Sequence, residues 1–459
     1  MYGKNPILPP PPPSPPLKRP RQRWPRVVAF FLFLALLAVF GWFYLRDEPP
    51  PDDADLSVRI PSISDKQNGL VQLRQLPVTA LDFSAFAKAQ GVTDEALLTH
   101  IREGTTRKDP MVDAYLAQAQ PVFLQLDRIL ASPHFENTGE ISVATSLPDV
   151  PIAFAVAQAL RLEIIRSLQK GDYATATNDT LRLRLLASRL TEGNTFMIQY
   201  MTANAIYGFS ALSARDLLNS PGLPSTQLVT LANAYASNAP TMAAFQRTLA
   251  ITYQVANNQL AHAYESPSGI HGLGYLEFYW DRLTLKPNAT RHELVDFYIQ
   301  WGNALHDYYA DIDFSALDAH NVHPDSGLAF LAPNSGGHAF LIATAPSPEI
   351  LKYPYWEVAV DRLLRTGYAM RVYYVEHGAL PPNLETLVPN YLPALPKQPH
   401  AGQPFHYDAA RGLVYSVGTS LKDTGGSHFA NATASGAAPV DPLMDLAQPT
   451  LVLTFQNQK

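Results

Sequence analysis

No cysteine occurs anywhere in the chain, which excludes disulfides, thiol nucleophiles and thiolate metal sites together. An exported domain without disulfides must hold itself together by packing, and the absence fits a bacterial periplasmic or cell-surface setting. The chain also lacks the motifs that carry common chemistries. There is no Gly-x-Ser-x-Gly elbow, no phosphate loop, no dinucleotide fingerprint and no His-Glu-x-x-His pair, and Ser420 has no identifiable base nearby. Charge is sparse as well: 16% of residues are charged against 47% hydrophobic, so there is material for two or three folded units in the 459 residues.

What charge there is falls unevenly. Residues 1–26 carry Lys4, Lys18, Arg19, Arg21, Arg23 and Arg26 and no acid, whereas the formal net charge of the whole is -6. The long remainder is therefore acidic, which argues against nucleic acid as a partner. Between these halves lies Val27 to Leu45, VVAFFLFLALLAVFGWFYL, a run without a charge. At about 1.5 Å per residue it reaches roughly 28 Å as a helix, close to the ~30 Å hydrocarbon core of a bilayer, and Trp42 and Tyr44 sit where amphipathic rings favour the interface. The run predicts a single transmembrane helix over 27–45. A cleavable signal peptide is the rival reading, but the apolar run exceeds the usual length of about 7–15 residues and ends in Gly-Trp-Phe-Tyr-Leu-Arg rather than a small-x-small site. By the positive-inside rule the N-terminus is expected in the cytoplasm of an inner (plasma) membrane protein, with the bulk of the chain periplasmic or extracytoplasmic.

The arm before the span, 1–26, is proline-rich and reads as an extended, disordered, solvated segment whose cations face anionic lipid. After the span, 46–57 (DEPPPDDAD at its centre) reads as an acidic, proline-rich linker. The region 58–263 has helical periodicity. Ala114 to Leu130 predicts a helix interrupted or restarted at Pro121, and Asp94-Glu95 read as solvated first-turn residues of another. Phe154, Leu160, Ile164, Ile165 and Leu168 line one face of a helix that stops at Gly171, and Asp172 is placed to cap the next, which carries Ala176, Leu181, Leu185 and Leu190. Further helices are predicted from about Thr195 to Leu218, after a cap at Ser225, and after a cap at Thr241. The turn Lys170-Gly-Asp-Tyr-Ala-Thr-Ala176 resembles those of tetratricopeptide-type repeats. Without self-similarity at a period of about 34 residues, "irregular helical array" describes the region.

Residues 264–350 form a loop-rich connecting region with one helix, expected from about Arg291 to Ala310, and Asn334-Ser-Gly-Gly-His338 reads as an exposed turn. His306, Asp307, Asp311 and Asp313 lie close along this stretch, with His320 and His323 beyond. If the helix extends through them, Asp307 and Asp311 share a face with His306 beside them, which makes His306 and Asp311 weak metal candidates. His271, between glycines, is a weak candidate base.

The last segment, 351–459, carries an ordered pattern. Trp356, Val360, Leu363, Leu364, Tyr368 and Val372 line one face of a helix ending at His377-Gly378. Then follow Leu380-Pro-Pro382-Asn-Leu384, Tyr391-Leu-Pro-Ala-Leu-Pro396, Gly402-Gln-Pro-Phe405, Gly412-Leu-Val-Tyr415-Ser-Val-Gly418 and Asp423-Thr-Gly-Gly426. Over about 355–426 this resembles the globular domain of type II secretion major pseudopilins, and the resemblance implies a small α+β module with an antiparallel sheet. It also implies calcium held by acidic residues of the C-terminal loops, which makes Asp423 a weak metal candidate. Departures are clear: Gln398 stands where the family has aspartate, Leu421-Lys422 precede Asp423, and the processing site of a pilin is missing from the N-terminal span. The chain is therefore expected to be tethered rather than polymerised.

The fold expected is mainly α: one N-terminal transmembrane helix, an exported helical-hairpin array and a small C-terminal α+β pseudopilin-like module. The function expected is that of a non-enzymatic scaffold or adaptor with the lipid bilayer and an envelope protein as partners, no cofactor, no catalytic residue and no nucleic acid. The alternative is a metal-dependent or hydrolytic envelope enzyme with its site in 264–350.

Overall fold

The structure, a computed structural model, describes residues 24–89, 110–237, 241–263, 282–318, 333–423, 425–426 and 452–454. The chain is mainly helical. Its longer helices are α1 (Trp24–Leu45), α2 (Pro110–Leu130), α3 (Asp149–Lys170), α4 (Tyr173–Leu190), α5 (Met197–Leu218), α6 (Ser225–Ser237), α7 (Met242–Ala261), α8 (Pro287–Asn303), α9 (Ser335–Thr344) and α10 (Lys352–His377). Three short strands, β1 (His406–Asp408), β2 (Leu413–Tyr415) and β3 (Val452–Thr454), make one antiparallel sheet in the order β1-β2-β3, with Val414 opposite both Tyr407 and Leu453.

The chain divides into two units, Met1–Glu48 and Pro49–Lys459. In the first, α1 is a 22-residue helix with no charge after Arg26. Among the described residues no helix is long and apolar enough to cross a membrane, so a span at 27–45 rests on the sequence run alone.

In the second unit local signals set the turn between α3 and α4. Gly171 closes α3 in the left-handed region at φ 74°, which costs a glycine little, and the Asp172 carboxylate accepts Thr175 N–H at 3.1 Å to open α4. Only these two residues separate the helices, so the chain turns back and α3, α4 and α5 pack face to face. The helix α10 then lies against α5 and α6, and its Trp356, Val360, Leu363, Leu364 and Tyr368 join Tyr207, Leu217, Leu218 and Tyr235 in one hydrophobic core. Burying each of these large side chains contributes about 1.5–3 kcal/mol. Tyr355, at the start of the same helix, enters a second core with Tyr253, Tyr298, Trp301 and Tyr309. The helix of the C-terminal segment is thus shared between both cores.

Three expectations need correction. α2 runs unbroken through Pro121. Pro121 and Ala117, whose carbonyl loses its partner, are both exposed, while Ala119, Val122, Phe123 and Leu126 are buried and hold the helix from the other side. α8 ends at Asn303 instead of continuing to Ala310, because the N–H groups of Tyr309 and Ala310 are taken by the carbonyls of Pro399 and His400 at 2.9 and 3.0 Å. Residues 334–338 are the buried start of α9 rather than an exposed turn: Asn334 accepts Lys286 N–H at 2.9 Å and donates to Glu293 Oε1 at 2.9 Å. Gly337 is required there, since a Cβ would lie 2.1 Å from Thr290 Oγ1.

Within the second unit, residues 53–56 are tied to α7. Tyr253 OH donates to Asp53 Oδ2 at 2.7 Å, Gln254 Nε2 donates to the Leu56 carbonyl at 3.1 Å, and Leu56 is buried in the second core.

Candidate functional site

Two features of the helical stack are candidates for function. The first is an open groove between α2 and α4, about 460 Å³, with Leu130, Ala131, Leu181 and Leu185 as apolar lining and Asp127, Arg182 and Arg189 on its walls. Its shape follows from the hairpin geometry, which sets α2 beside α4 without closing over them. Ion pairs and hydrogen bonds link the walls. Arg182 grips Asp127 with two bonds of 2.8 and 2.6 Å and reaches Asp179 at 2.6 Å, while Arg189 donates to the Leu130 carbonyl at 3.0 Å and pairs with Glu192 at 2.7 Å. Burial pushes the Asp179 carboxyl up to about 6 even though Arg182 pulls it down. The planar guanidinium suits this fork, and lysine would not reproduce it.

The second is a buried ionic network where α10 meets the array. Arg184 Nη2 lies 2.7 Å from Asp361 Oδ1, Arg184 Nη1 donates to Tyr207 OH at 3.0 Å, and Tyr207 OH donates to Asp361 Oδ1 at 3.2 Å. The guanidinium carbon sits 4.1 Å from the centre of the Tyr235 ring, a cation–π arrangement. One turn before Asp361, Glu357 accepts Tyr200 OH at 3.2 Å. Burial drives the Glu357 carboxyl up to about 7, and raises Asp361 against the pull of Arg184 and Tyr207. The same burial, with the neighbouring carboxylates, holds the Tyr200 and Tyr207 hydroxyls protonated. Hydropathy alone misses this cluster because it marks α10 by its apolar stripe. The available signal was two carboxylates four residues apart beside Trp356, Val360 and Leu364 in a helix apolar enough to be buried.

The weak metal candidates are not assembled into a site. His306 and Asp307 follow the end of α8 and Asp311 closes a 3-10 turn at Tyr309–Asp311, so no helix face joins them, and all three are exposed. The His306 carbonyl accepts Tyr355 OH at 2.7 Å. Asp313 caps the short helix Phe314–Leu317. Asp423 is occupied by donors: Oδ1 accepts Tyr415 OH and Gly425 N–H, each at 2.8 Å, and Oδ2 lies 3.2 Å from His406 Nδ1. Those bonds, Gly425 first, hold its carboxyl below the usual range. Among the described residues no group of three or more histidines and carboxylates could hold a metal ion. His271, His320, His323, Asp94 and Glu95 lie outside the described residues.

Gln398, standing where an aspartate was expected by family resemblance, has a defined part instead. It is fully buried; its Oε1 accepts Ser416 Oγ at 2.9 Å and Val417 N–H at 3.1 Å, and its Nε2 donates to the Pro404 carbonyl at 3.1 Å. Only an amide both accepts and donates here, and an aspartate would leave the Pro404 carbonyl unmatched. His400 beside it donates from Nδ1 to Ser416 Oγ at 3.2 Å, and burial depresses its pKa to about 3, so the ring is neutral. Ser416 and His400 are both sealed from solvent, which makes the pair part of the packing and not a nucleophile with its base.

Against this geometry, comparison with known proteins adds no relative: no family model, no curated protein and no solved structure matches the chain.

Proposed function

We propose that the chain is a membrane-anchored envelope protein that acts as a non-enzymatic scaffold, holding a segment of a partner protein in the groove between α2 and α4. The observation that carries this reading is the groove itself: open, with Leu181 and Leu185 on its floor and ion-paired arginines fixing its walls. Such a surface fits a segment that presents apolar side chains between polar ones, the mode by which helical arrays make contacts.

The anchor in this reading is 27–45, with the basic arm cytoplasmic and the rest exported. Phe31, Phe33, Leu36 and Phe40 of α1 are 58–67% exposed. An apolar surface of that extent is relieved by lipid or by a partner. The order of elements in 352–426, a long helix closed by Gly378 in the left-handed conformation, a turn through Pro381-Pro382, the β1-β2 hairpin and the Asp423 loop, supports a pseudopilin-like module and a link to secretion or pilus-like machinery.

The reading is tested by placing a photo-crosslinking residue at Leu185 of the full chain in native membranes. A discrete adduct, lost when Leu181 is changed to Asp, is expected. Absence of any adduct from Leu185, with the protein abundant in the same membranes, would remove the groove from consideration.

A further inference from the structure

The network at α10 sets two buried carboxylates, Glu357 and Asp361, against one guanidinium that reaches them from the array, Arg184. Glu357 and Asp361 enter the core one helical turn apart, and from the facing elements come Arg184 on α4, Tyr200 and Tyr207 on α5 and Tyr235 on α6. Arg362 and Arg365, on α10 itself, also act on Asp361, and Tyr368 on α10 faces Tyr235. Arg184 is thus the guanidinium that meets a carboxylate across the interface, and it meets Asp361 directly while Glu357 lies a turn away against a phenol. Asp361 Oδ2 is buried with no hydrogen-bond partner, so the pocket has no spare donor to receive a second full negative charge. Arg184, Arg362 and Arg365 all favour the ionised form of Asp361, whereas of the three Arg184 alone acts on Glu357, so Glu357 is the carboxylate left to take up a proton in this core.

We propose that Glu357 is a proton-dependent latch: the array grips α10 most firmly while Glu357 is the neutral acid, and ionisation of Glu357 loosens that helix and the sheet that leans on it. The raised carboxyl, at about 7, agrees with the geometry; burial is its main cause, Tyr200 and Arg184 oppose it and Asp361 adds to it. The folded chain therefore binds this proton more tightly than the unfolded chain, whose glutamate titrates at the ordinary value near 4.5. The latch's contribution is complete below about pH 4.5 and is lost as pH rises through about 7. This inference concerns the purified chain and stands apart from the anchor and groove readings.

Hydrogen exchange of the full chain in detergent micelles, corrected for the intrinsic pH dependence of exchange, tests it between about pH 5 and about pH 8.5. The protection of α10 amides, taken as a ratio to that of Glu357→Gln at the same pH so that the opposite contribution of His400 cancels, is expected to fall on the order of a hundredfold across that window. Glu357→Gln keeps the acceptor for Tyr200 and serves as the reference, with Glu357→Leu as a second neutral reference. Tyr200→Phe removes a bond that favours the charged form and should move the fall to higher pH. Asp179→Asn and Glu163→Gln, which remove two further raised carboxyls in the array, should leave the fall in α10 in place. A ratio to both Glu357 variants that stays level across the window would overturn the latch.

Discussion

Arg184 and Asp361, far apart in the chain, meet at 2.7 Å with side chains only 7% and 1% exposed, and this pair fixes α10 to the array. Removing one partner leaves a buried charge alone, so Arg184→Met or Asp361→Leu is expected to cost about 3–5 kcal/mol, while the double variant recovers much of the loss. Urea unfolding of the four proteins measures this. Arg184→Lys should behave nearly as badly as Arg184→Met, because the ammonium cannot reach Asp361, Tyr207 and the Tyr235 face together. Additive single losses would contradict a shared network.

His400 supplies a pH dependence of opposite sign to that of Glu357. Burial holds the folded ring neutral down to about 3, whereas the unfolded ring protonates at its ordinary value of 6.5. The unfolded chain thus binds more protons between those values, and stability is present above about 6.5 and falls as pH drops, by up to roughly 1.4 kcal/mol per pH unit. In His400→Gln the acid limb of a plot of unfolding free energy against pH should be shallower. An acid limb unchanged by that substitution would show that the ring stays accessible to protons.

Gly367 marks the tightest approach along α10. A Cβ there would lie 2.4 Å from Leu453 Cδ1 and 2.9 Å from Leu218 Cδ2, with both leucines buried. Alanine favours a helix by about 1 kcal/mol over glycine, but overpacking costs about 1–3 kcal/mol. Gly367→Ala is therefore expected to be neutral to destabilising by about 2 kcal/mol, and Gly367→Val clearly worse. Thermal unfolding ranks them, and a stabilised alanine variant would mean that β3 yields freely.

Calcium should have no effect on stability. The Asp423 carboxylate already accepts Tyr415 OH and Gly425 N–H, and a hard cation wants about six to eight oxygens. The melting temperature in millimolar calcium and in excess chelator should agree to within about a degree. Asp423→Ala, by contrast, frees Tyr415 and the Gly425 amide and is expected to destabilise by about 1–2 kcal/mol.

The proposed anchor has a direct assay. An alkaline carbonate wash should leave the chain in the membrane fraction, and an active periplasmic reporter fused after residue 60 should give signal. Leu36→Arg, at the middle of the apolar run, costs about 2.5–3.5 kcal/mol of insertion and should shift protein toward the soluble fraction. Release of the unaltered chain by carbonate would discard the anchor.

The helical stack was legible in the sequence because its signals are local. Gly171 and Asp172 act on their own neighbours, and the stops at Leu218 and Gly378 fall where the pattern placed them. What stayed hidden depends on residues distant in the chain. The end of α8 is decided by the carbonyls of Pro399 and His400, the path of α2 through Pro121 by a buried face, and the start of α9 by Lys286, Thr290 and Glu293. The groove and the network share that character. Arg182 and Arg184 read as ordinary surface cations until Asp127 and Asp361 are brought opposite them.

β3 has a consequence for how the chain is made. Leu453 lies opposite Val414 and beside Gly367, so residues more than three hundred positions after Leu70 share its core. A polypeptide emerging from its N-terminal side can wind α3, α4 and α5 early, since their turns are local. Tyr207, Leu217 and Tyr235 then wait uncovered until Tyr368 and Leu453 arrive. Closure of the body waits on β3, and the interval before Leu453 is made is when a holding chaperone has apolar surface to bind.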